Sequence, residues 1–270
     1  MPEQKIIVVM PAYNAAKTLE RTYRDIHAGV VDNVILVDDV SQDETVEVAQ
    51  RLGLKVVIHV QNRGYGGNQK TCYLEALKDG ADIIVMLHPD YQYDSRLVPE
   101  LVRPIQEGQA DMVLGSRLLS GADRTLAGGM PLYKFVANRF LTIVENLTPG
   151  LRLSECHTGF RAYSRSLLTT IPFLLNSDDF VFDTQVIAQA VAHGFRIAEI
   201  AVPTRYFEEA SSVNFRRSVV YGFGTLWVMA QYLIDRLGFA RIPYLRKRLD
   251  QVCSRHHWHE IQAAAGRPTG

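Results

Sequence analysis

The chain has 270 residues, of which 47% are hydrophobic and 21% are charged, ordinary values for a folded soluble protein. Its 29 basic and 29 acidic residues balance, so no global field selects nucleic acid as a partner. The three cysteines, Cys72, Cys156 and Cys253, lie far apart without CxxC spacing. This excludes a disulfide scaffold or a cysteine zinc site and indicates reduced thiols in a reducing compartment.

Neither the amino terminus nor the most apolar segment predicts insertion into a membrane. Met-Pro-Glu-Gln-Lys leads straight into a strand-like run, so no signal peptide is expected. The apolar segment Val219–Ile234 contains Gly222 and Gly224 and is shorter than the roughly 20 residues that span a bilayer. We therefore expect a cytoplasmic protein.

Strand-like and helix-like segments alternate through the first half of the chain. Buried-strand patterns cover Lys5–Met10, Val34–Val37, Lys55–Val60 and Ile83–Leu87, and helical patterns follow the first three at about 16–28, 44–52 and 69–79. Asn14 is predicted to cap the first helix, and Ser41 with Glu44 forms a capping-box pattern for the second. The alternation predicts a mostly parallel sheet flanked by helices, which binds ligands at the carboxyl ends of its strands.

All four predicted strands end in polar or glycine-rich residues: Pro11–Asn14, Asp38–Asp39, Asn62–Asn68 and His88–Gln92. In the last group His88, Asp90 and Gln92 alternate, so an extended backbone would point all three side chains the same way. An imidazole, a carboxylate and an amide oxygen converging on one point suit a divalent cation. The ordinary alternative is a polar strand exit without a metal. Agreement among the four ends predicts a ligand-binding first half.

The second half carries weaker signals. A helix is predicted near 96–106, a strand at Asp111–Leu114, a mobile loop at Ser120–Gly129, a helix from Pro131 to about Asn146, a helix near Asp183–His193, a strand at Arg196–Val202, one long helix at Asn214–Leu237 and a flexible tail from Ser254.

The known nucleotide-binding motifs are missing. Met-Pro-Ala-Tyr-Asn-Ala follows the first strand in place of GxGxxG, and there is no GxxxxGK[ST], which excludes a dinucleotide fingerprint and a P-loop.

The motifs that are present resemble glycosyltransferase family 2 over about Ile6–Asn214. They are Pro11-Ala12-Tyr13-Asn14, then Val37-Asp38-Asp39 with Ser41, Asp43 and Thr45, then Asn62-x-Gly64, then the strand that ends near Asp90. Gly115-Ser116-Arg117 and Thr158-Gly159-Phe160-Arg161 resemble its branch of dolichyl- and polyprenyl-phosphate sugar synthases. The resemblance implies a GT-A glycosyltransferase domain at 1–213, with a donor-binding half at about 1–115 and an acceptor half at about 116–213. A helical segment at 214–253 and a flexible tail at 254–270 would follow.

The resemblance also implies roles for the matching positions. The donor nucleotide would be bound by Pro11, Tyr13, Asn14, Asp38, Asp39, Asn62, Gly64 and Gly66, the glycines permitting close backbone approach. Because Ser41 would already cap the second helix, Asp38 and Asp39 are interpreted as ligand residues. Asp90 and Gln92 would hold the metal, with His88 where the family usually has aspartate. Histidine suits Mn²⁺ better than Mg²⁺. Ala15 stands where this branch commonly carries glutamate.

The nature of the acceptor decides the remaining roles. A lipid phosphate is already anionic and needs cations to hold it, whereas a hydroxyl acceptor needs a general base. The expected acceptor-phosphate residues are Ser116, Arg117, Arg161, Arg165 and Arg205. Asp183 is the candidate base, although a carboxylate in a first helical turn is also favoured by the helix dipole alone. The expected catalytic residues are therefore Asp90, Arg117 and Asp183.

The predicted helix at Asn214–Leu237 has basic ends and an apolar middle. Arg216-Arg217 precede Trp227 and Tyr232, and Arg236 follows, which is typical of a helix lying at a membrane interface. A helix packed on the core or on a second copy of the chain has the same pattern. A membrane surface and a homo-oligomer therefore both stay open as partners.

Together these features predict a metal-dependent, inverting hexosyltransferase. It would move a sugar from a UDP- or GDP-linked donor to a polyprenyl phosphate, using Mn²⁺ or Mg²⁺, as a peripheral protein on the inner face of the cell membrane. One alternative is a soluble family 2 enzyme that glycosylates a sugar or small-molecule hydroxyl with Asp183 as base. The other is a non-catalytic nucleotide-binding or scaffold protein whose metal site was lost through His88.

Overall fold

One mixed sheet organises the part of the chain that the computed structural model describes, residues 4–27, 29–119, 121, 130–203 and 215–265. Within these ranges seven strands form the sheet, in the order β3-β2-β1-β4-β6-β5-β7. The strands are β1 (Ile6–Ala12), β2 (Asn33–Asp38), β3 (Lys55–Ile58), β4 (Ile83–Met86), β5 (Met112–Ser116), β6 (Arg161–Ser164) and β7 (Ile197–Ala201). Only β6 runs antiparallel to its neighbours, which confirms the predicted mostly parallel sheet.

Helices cover both faces of the sheet. They are α1 (Ala16–Arg24), α2 (Thr45–Arg51), α3 (Gly64–Lys78), α4 (Val98–Gln106), α5 (Leu132–Leu147), α6 (Arg165–Thr170), α7 (Phe182–Ala192), α8 (Phe215–Arg236), α9 (Pro243–Arg246) and α10 (Arg255–Ala265). One apolar layer joins the sheet to α1, α2 and α4, and the other joins it to α3, α6, α7 and α10. Helix α8 packs on α5 and α7. None of the helices in the described ranges combines the length and apolar character needed to cross a membrane.

Strand β1 shows why these apolar runs become central strands. Its side chains alternate between the two layers, with Ile7 and Val9 on the α3 side and Val8 and Met10 on the α1 side. All four are fully buried. Burying a side chain of this size contributes about 1.5–3 kcal/mol, so a polar residue inside the strand would be costly. Polar residues therefore begin only where the strands end.

Strand β6 was not predicted from the sequence. It lies between β4 and β5, with Ala162 opposite both Val85 and Val113. Arg-Ala-Tyr-Ser is too short and too mixed to show a strand period, and only its two neighbours determine its pairing. The register places Arg161 opposite Met86, at the carboxyl end of β4.

Asn14 and Ser41 do not cap helices as predicted. Helix α1 begins after Ala15 and α2 after Glu44, both without a side-chain cap. Asn14 has a φ of 53°, and its Oδ1 accepts a hydrogen bond from the Gln42 amide at 2.7 Å. The Ser41 hydroxyl in turn accepts from the Asn14 amide at 2.9 Å. These polar side chains join the loops after β1 and β2 to each other.

The predicted flexible tail contains α10, which packs on α3. The Arg165 guanidinium donates to the carbonyl oxygens of Leu77 at 3.1 Å, Ala81 at 3.0 Å and Ile261 at 2.5 Å. Arg165 therefore connects the carboxyl end of α3 to α10. Residues 266–270, and the predicted loop Ser120–Gly129 apart from Gly121, lie outside the described residues.

We predict that Arg165→Ala lowers the free energy of unfolding by about 2–3 kcal/mol, because three carbonyl groups lose a charged donor. Chemical denaturation measures this change, and Arg241→Ala, at an exposed position, is the matched control with a change below about 0.5 kcal/mol. Unchanged stability together with a raised KM for a phosphate acceptor would instead support the acceptor role predicted from the sequence.

Candidate functional site

Two cavities meet at the carboxyl end of β4. The strand-end cavity has a volume of about 950 Å³ and is bordered by residues that follow β1, β2 and β3, among them Tyr13, Asp39 and Asn62. The apolar cavity has a volume of about 550 Å³ and is bordered mainly by α5 and α8, through residues such as Phe140, Leu141, Phe223 and Leu226, and by Met130 just before α5. Tyr65, His88, Asp90 and Phe180 border both cavities. This shared wall is the junction of the site.

Most of the predicted donor residues border the strand-end cavity: Pro11, Tyr13, Asn14, Asp39, Asn62 and Gly64. Tyr13 is 57% exposed, so its ring is accessible from the cavity. Asp38 and Gly66 do not border it. Asp38 is buried beneath the turn after β2, where its Oδ2 accepts from the Ser41 amide at 3.0 Å. The structure thus brings residues from three loops together around the cavity, whereas Asp38 is buried and does not contact it.

Asp39 fixes the loop that leads into α3. Its carboxylate accepts from the amides of Arg63 at 2.8 Å and Gly64 at 3.0 Å, and from His59 Nδ1 at 2.7 Å. His59 Nε2 lies 2.9 Å from the Thr71 hydroxyl, which holds the imidazole from its other side. Asp39 therefore shapes the cavity wall as well as bordering it. His59 lies directly after β3 and belongs to no recognised motif, so it was not predicted from the sequence as a site residue.

The glycines of the α3 amino terminus permit a close approach between two chain segments. The Gly66 amide donates to the Asp178 carbonyl at 2.8 Å, and a Cβ at Gly66 would overlap the Ser177 carbonyl oxygen. Lys70 Nζ adds an ion pair to Asp178 Oδ1 at 2.7 Å. The interpretation of Gly66 as a point of backbone approach to the nucleotide therefore changes. In the structure Gly66 allows α3 to approach the segment 177–180, whose last residue, Phe180, borders both cavities.

A turn, rather than an extended strand, collects the predicted metal ligands. Strand β4 ends at Met86, Tyr91 has a φ of 59°, and the Gln92 amide donates to Asp90 Oδ1 at 3.1 Å. His88, Asp90 and Gln92 all border the apolar cavity, and the first two also border the strand-end cavity. The three side chains therefore border one cavity, but a turn carries them in place of the predicted extended backbone.

Burial favours the neutral form of the His88 imidazole. Burial lowers the pKa of His88 below its ordinary value, although the charges of Asp90 and Asp183 oppose this shift. His88 Nε2 lies 3.3 Å from the Tyr65 hydroxyl, which donates to Asp183 Oδ2 at 2.8 Å. With its proton directed to Asp183, the Tyr65 oxygen can accept from Nε2, and that tautomer leaves the lone pair on Nδ1. Such a nitrogen, with the oxygens of Asp90 and Gln92, fits Mn²⁺ and related ions.

Arg161 and Asp183 form a buried ion pair beneath the junction. Arg161 Nη2 lies 3.4 Å from Asp183 Oδ2, and the guanidinium also donates to the carbonyl oxygens of Thr158 at 2.6 Å and Cys156 at 3.1 Å. Arg161 is fully buried and borders neither cavity, contrary to its predicted contact with an acceptor phosphate. Asp183 does border the apolar cavity.

Two cations border the apolar cavity. Arg117 Nε donates to Glu155 Oε1 at 2.8 Å and its backbone amide to Oε2 at 2.7 Å. Burial opposes ionisation of Glu155, but the charge and hydrogen bonds of Arg117 lower the pKa of that carboxyl below its usual value. Lys134, on α5, forms no hydrogen bond or ion pair with the described residues, and burial followed by the charge of Arg117 lowers its pKa. Lys134 lies outside every recognised motif and was missed.

The other predicted acceptor residues lie elsewhere. Ser116 is buried at the end of β5. Its hydroxyl accepts from the amides of Leu118 at 3.2 Å and Leu119 at 3.1 Å, which fixes the turn that follows this strand. Arg165 is held between α3 and α10. Arg205 falls outside the described residues. Of the four predicted acceptor-phosphate residues that the structure describes, only Arg117 borders a cavity.

The sheet, with its cavity at the carboxyl ends of the strands, has the GT-A fold that occurs in glycosyltransferases. The chain matches the family model described as Glycosyl transferase family 2 over residues 7–171. It is 31% identical over 225 residues to an uncharacterised protein of Methanocaldococcus jannaschii, a match that covers 83% of this chain and 90% of that protein. The chain belongs to glycosyltransferase family 2.

Two further proteins illustrate this similarity. The chain is 28% identical to a UDP-N-acetylglucosamine–dolichyl-phosphate N-acetylglucosaminyltransferase of Methanococcus voltae, over 77% of this chain and 88% of that protein. Its fold matches glucosyl-3-phosphoglycerate synthase from Mycobacterium tuberculosis, solved with Mn²⁺, uridine diphosphate and phosphoglyceric acid. That match has a TM-score of 0.66 and 21% identity, and it covers 85% of this chain and 78% of that chain. The latter similarity concerns the fold alone.

We predict that Gly66→Ala lowers the free energy of unfolding by about 1–3 kcal/mol, because the added methyl group overlaps the backbone at Ser177. Gly222→Ala is the matched control. A Cβ at Gly222 would lie 3.9 Å from the Leu141 side chain, an ordinary contact distance. In a helix interior alanine is also favoured over glycine by about 1 kcal/mol. Equal stability of the Gly66→Ala variant and the unmodified chain would contradict the close approach of these two segments.

Proposed function

We propose that this protein transfers a hexose from a nucleoside diphosphate sugar to a polyprenyl phosphate, with inversion, at the cytoplasmic face of a membrane. The observation that supports this most directly is the meeting of the two cavities at Asp90. The strand-end cavity suits a nucleotide with a charged leaving group. The apolar cavity, with two cations in its wall, suits an acceptor that joins a phosphate to a hydrocarbon chain.

The donor half of the proposal is approximately residues 1–115. The exposed ring of Tyr13 offers a flat surface on which a nucleobase can stack. Asn14 and Asn62, at the same cavity, offer amide groups to ribose or base. A relative named for UDP-N-acetylglucosamine, and a solved structure of similar fold holding uridine diphosphate, support a UDP-sugar as the first donor to test. A GDP-linked hexose is the second.

A divalent cation belongs to this proposal. Asp90 and Gln92, with His88 Nδ1, would hold it, and the imidazole nitrogen favours Mn²⁺ over Mg²⁺. When bound, such an ion supplies the positive charge that neutralises the leaving diphosphate. The turn at Tyr91 and the hydrogen bond from Gln92 to Asp90 fix the carboxylate in advance, so little reorganisation is needed.

Arg117 and Lys134 hold the acceptor phosphate in this proposal. Its anionic oxygen attacks the anomeric carbon from the face opposite the leaving group. A new carbon–oxygen bond forms as the bond to the nucleoside diphosphate breaks, and the nucleoside diphosphate departs with that electron pair. No general base is required, because the attacking oxygen carries no proton. The first prenyl units would lie along Met130, Leu141 and Leu226.

The contacts of Asp183 disfavour the alternative in which it acts as a general base for a hydroxyl. Asp183 Oδ2 accepts from Tyr65 and faces Arg161, and Oδ1 accepts from Gln69 Nε2 at 3.2 Å. Both carboxylate oxygens are therefore already engaged inside the protein. We assign Asp183 the role of orienting Tyr65 and, through it, His88. Of the three predicted catalytic residues, Asp90 and Arg117 keep direct roles.

A turnover screen tests this proposal. We expect transfer from a UDP- or GDP-linked hexose to a short-chain polyprenyl phosphate but not to the prenol of the same length, and faster transfer with Mn²⁺ than with Mg²⁺. Asp90→Asn should lower kcat by about 100-fold through loss of the metal ligand, whereas Asp250→Asn, an exposed carboxylate, is the control. Glycosylation of the prenol would favour the hydroxyl alternative, and a wild-type protein without transfer would favour the non-catalytic one.

Lys134 provides a second test. Lys134→Gln should raise the KM for the polyprenyl phosphate by about 10-fold or more, the equivalent of one charge-assisted hydrogen bond, and leave the KM for the donor unchanged. Lys247→Gln removes an equal charge from an exposed position and serves as the control. An acceptor KM that does not respond to Lys134→Gln would remove this residue from the proposal.

A further inference from the structure

A cluster of side chains that can ligate a metal ion lies on α10. His256, His257 and Glu260, which we call the α10 cluster, each offer one nitrogen or oxygen atom, and these three atoms all lie within 4.8 Å of one another. Residues three and four positions apart share one face of a helix, which brings Glu260 to both histidines. None of the three residues borders either cavity. The α10 cluster is therefore separate from the site described above.

Glu260 connects the two imidazole rings. His256 Nε2 lies 3.6 Å from Glu260 Oε1, and His257 Nδ1 lies 3.2 Å from Glu260 Oε2. Ligand atoms that surround a zinc ion tetrahedrally, at about 2.0–2.1 Å from it, are about 3.3 Å apart. Two imidazole nitrogens and a carboxylate oxygen suit Zn²⁺ and the related ions Ni²⁺ and Cu²⁺, whereas Mg²⁺ and Ca²⁺ prefer oxygen ligands. The α10 cluster thus has the ligand types and the spacing of a three-residue zinc site.

The Glu260 carboxylate is favoured in its charged form, which a metal ligand requires. The hydrogen bond from His257 lowers the pKa of Glu260 below its ordinary value, and the charge of Lys78 acts in the same direction. Lys78 Nζ, on α3, lies 3.4 Å from Glu260 Oε2 and 3.0 Å from Glu75 Oε1. Lys78 is therefore the cation with which a metal ion at the α10 cluster would compete.

Helix α10 is anchored to the protein and still leaves the cluster accessible. Ile261 and Ala264 are buried, Trp258 packs partly buried against the core, and the Ile261 carbonyl accepts from Arg165. The His256 side chain is 78% exposed, so an ion can reach the cluster from solvent. The helix thus presents its ligands from a fixed backbone.

We propose that the α10 cluster binds a divalent transition-metal ion of the zinc class. All three ligands come from one helix, so they meet only while that helix is folded, and metal binding is linked to its folding. A bound ion would hold the first turns of α10 and stabilise this helix on α3. The ordinary alternative is a surface cluster in which Glu260 only forms hydrogen bonds and ion pairs with its neighbours.

Calorimetric titration of the full chain with Zn²⁺ tests the proposal. The Asp90→Asn variant serves as the background, because it lacks the ligand proposed for the donor metal. We expect one equivalent of Zn²⁺ to bind this background, and His256→Asn within it to weaken that binding by at least about 10-fold. His259→Ala is the matched control, since it removes an exposed histidine of the same helix from outside the α10 cluster, and it should bind like the background.

Lys78→Gln distinguishes a metal site from the ordinary alternative. This substitution removes a positive charge 3.4 Å from Glu260, so Zn²⁺ should bind about 2–5-fold more tightly. Weaker Zn²⁺ binding by Lys78→Gln would contradict direct coordination by Glu260.

Hydrogen exchange measures the effect of the ion on α10. At free Zn²⁺ of about 100 times its dissociation constant, opening that separates the ligands is suppressed by about 100-fold. Amides of α10 should then exchange about 100-fold more slowly, while those of α4 do not change. Three results would overturn the proposal: no Zn²⁺ equivalent in the Asp90→Asn background, equal weakening by His256→Asn and His259→Ala, or exchange in α10 that does not respond to Zn²⁺.

Discussion

The buried ion pair between Arg161 and Asp183 is the interaction on which the junction of the two cavities depends. Arg161 lies on β6 beside the end of β4, and Asp183 lies on the first turn of α7. Asp183 accepts from Tyr65 at the start of α3, and Tyr65 contacts His88. Loss of one partner from a buried pair costs about 3–5 kcal/mol, because the other charge is left in an apolar environment. The pair therefore links β6 to α7 and, through Tyr65, to the start of α3 beneath the junction.

The sequence was informative where structure is local. The branched apolar runs of β1, β2 and β4 and the polar residues that end them predicted the sheet and most of the strand-end cavity, because a buried strand excludes polar side chains along its whole length. Arg117 and Asp90 were found because each follows a strand within a motif. Features that depend on distant contacts were not found. Strand β6 is defined only by its neighbours, and Lys134 matters only because α5 packs beside Arg117.

Two errors have the same physical origin. Asn14 and Ser41 are residue types that cap helices, yet in the fold they bind the backbone of each other's loop. Arg161 and Arg165 were predicted to bind the acceptor phosphate because they are cations near a motif. In the structure Arg161 pairs with Asp183, and Arg165 donates to backbone carbonyl groups. Residue type determines what a polar side chain can bind, whereas the tertiary structure determines which partner lies within hydrogen-bond distance of it. Among the predicted arginines that the structure describes, Arg117 borders a cavity, and its carboxylate partner Glu155 is fully buried.

The central claim is that donor and acceptor meet across Asp90, with the acceptor phosphate between Arg117 and Lys134. A crystal structure with uridine diphosphate, Mn²⁺ and a short-chain polyprenyl phosphate tests it most directly. We expect the metal on the Asp90 carboxylate, the nucleobase against Tyr13, and the acceptor phosphate within hydrogen-bond distance of both cations, with its chain along α5 and α8. An acceptor phosphate bound away from Arg117 and Lys134, or a diphosphate that does not reach Asp90, would contradict it.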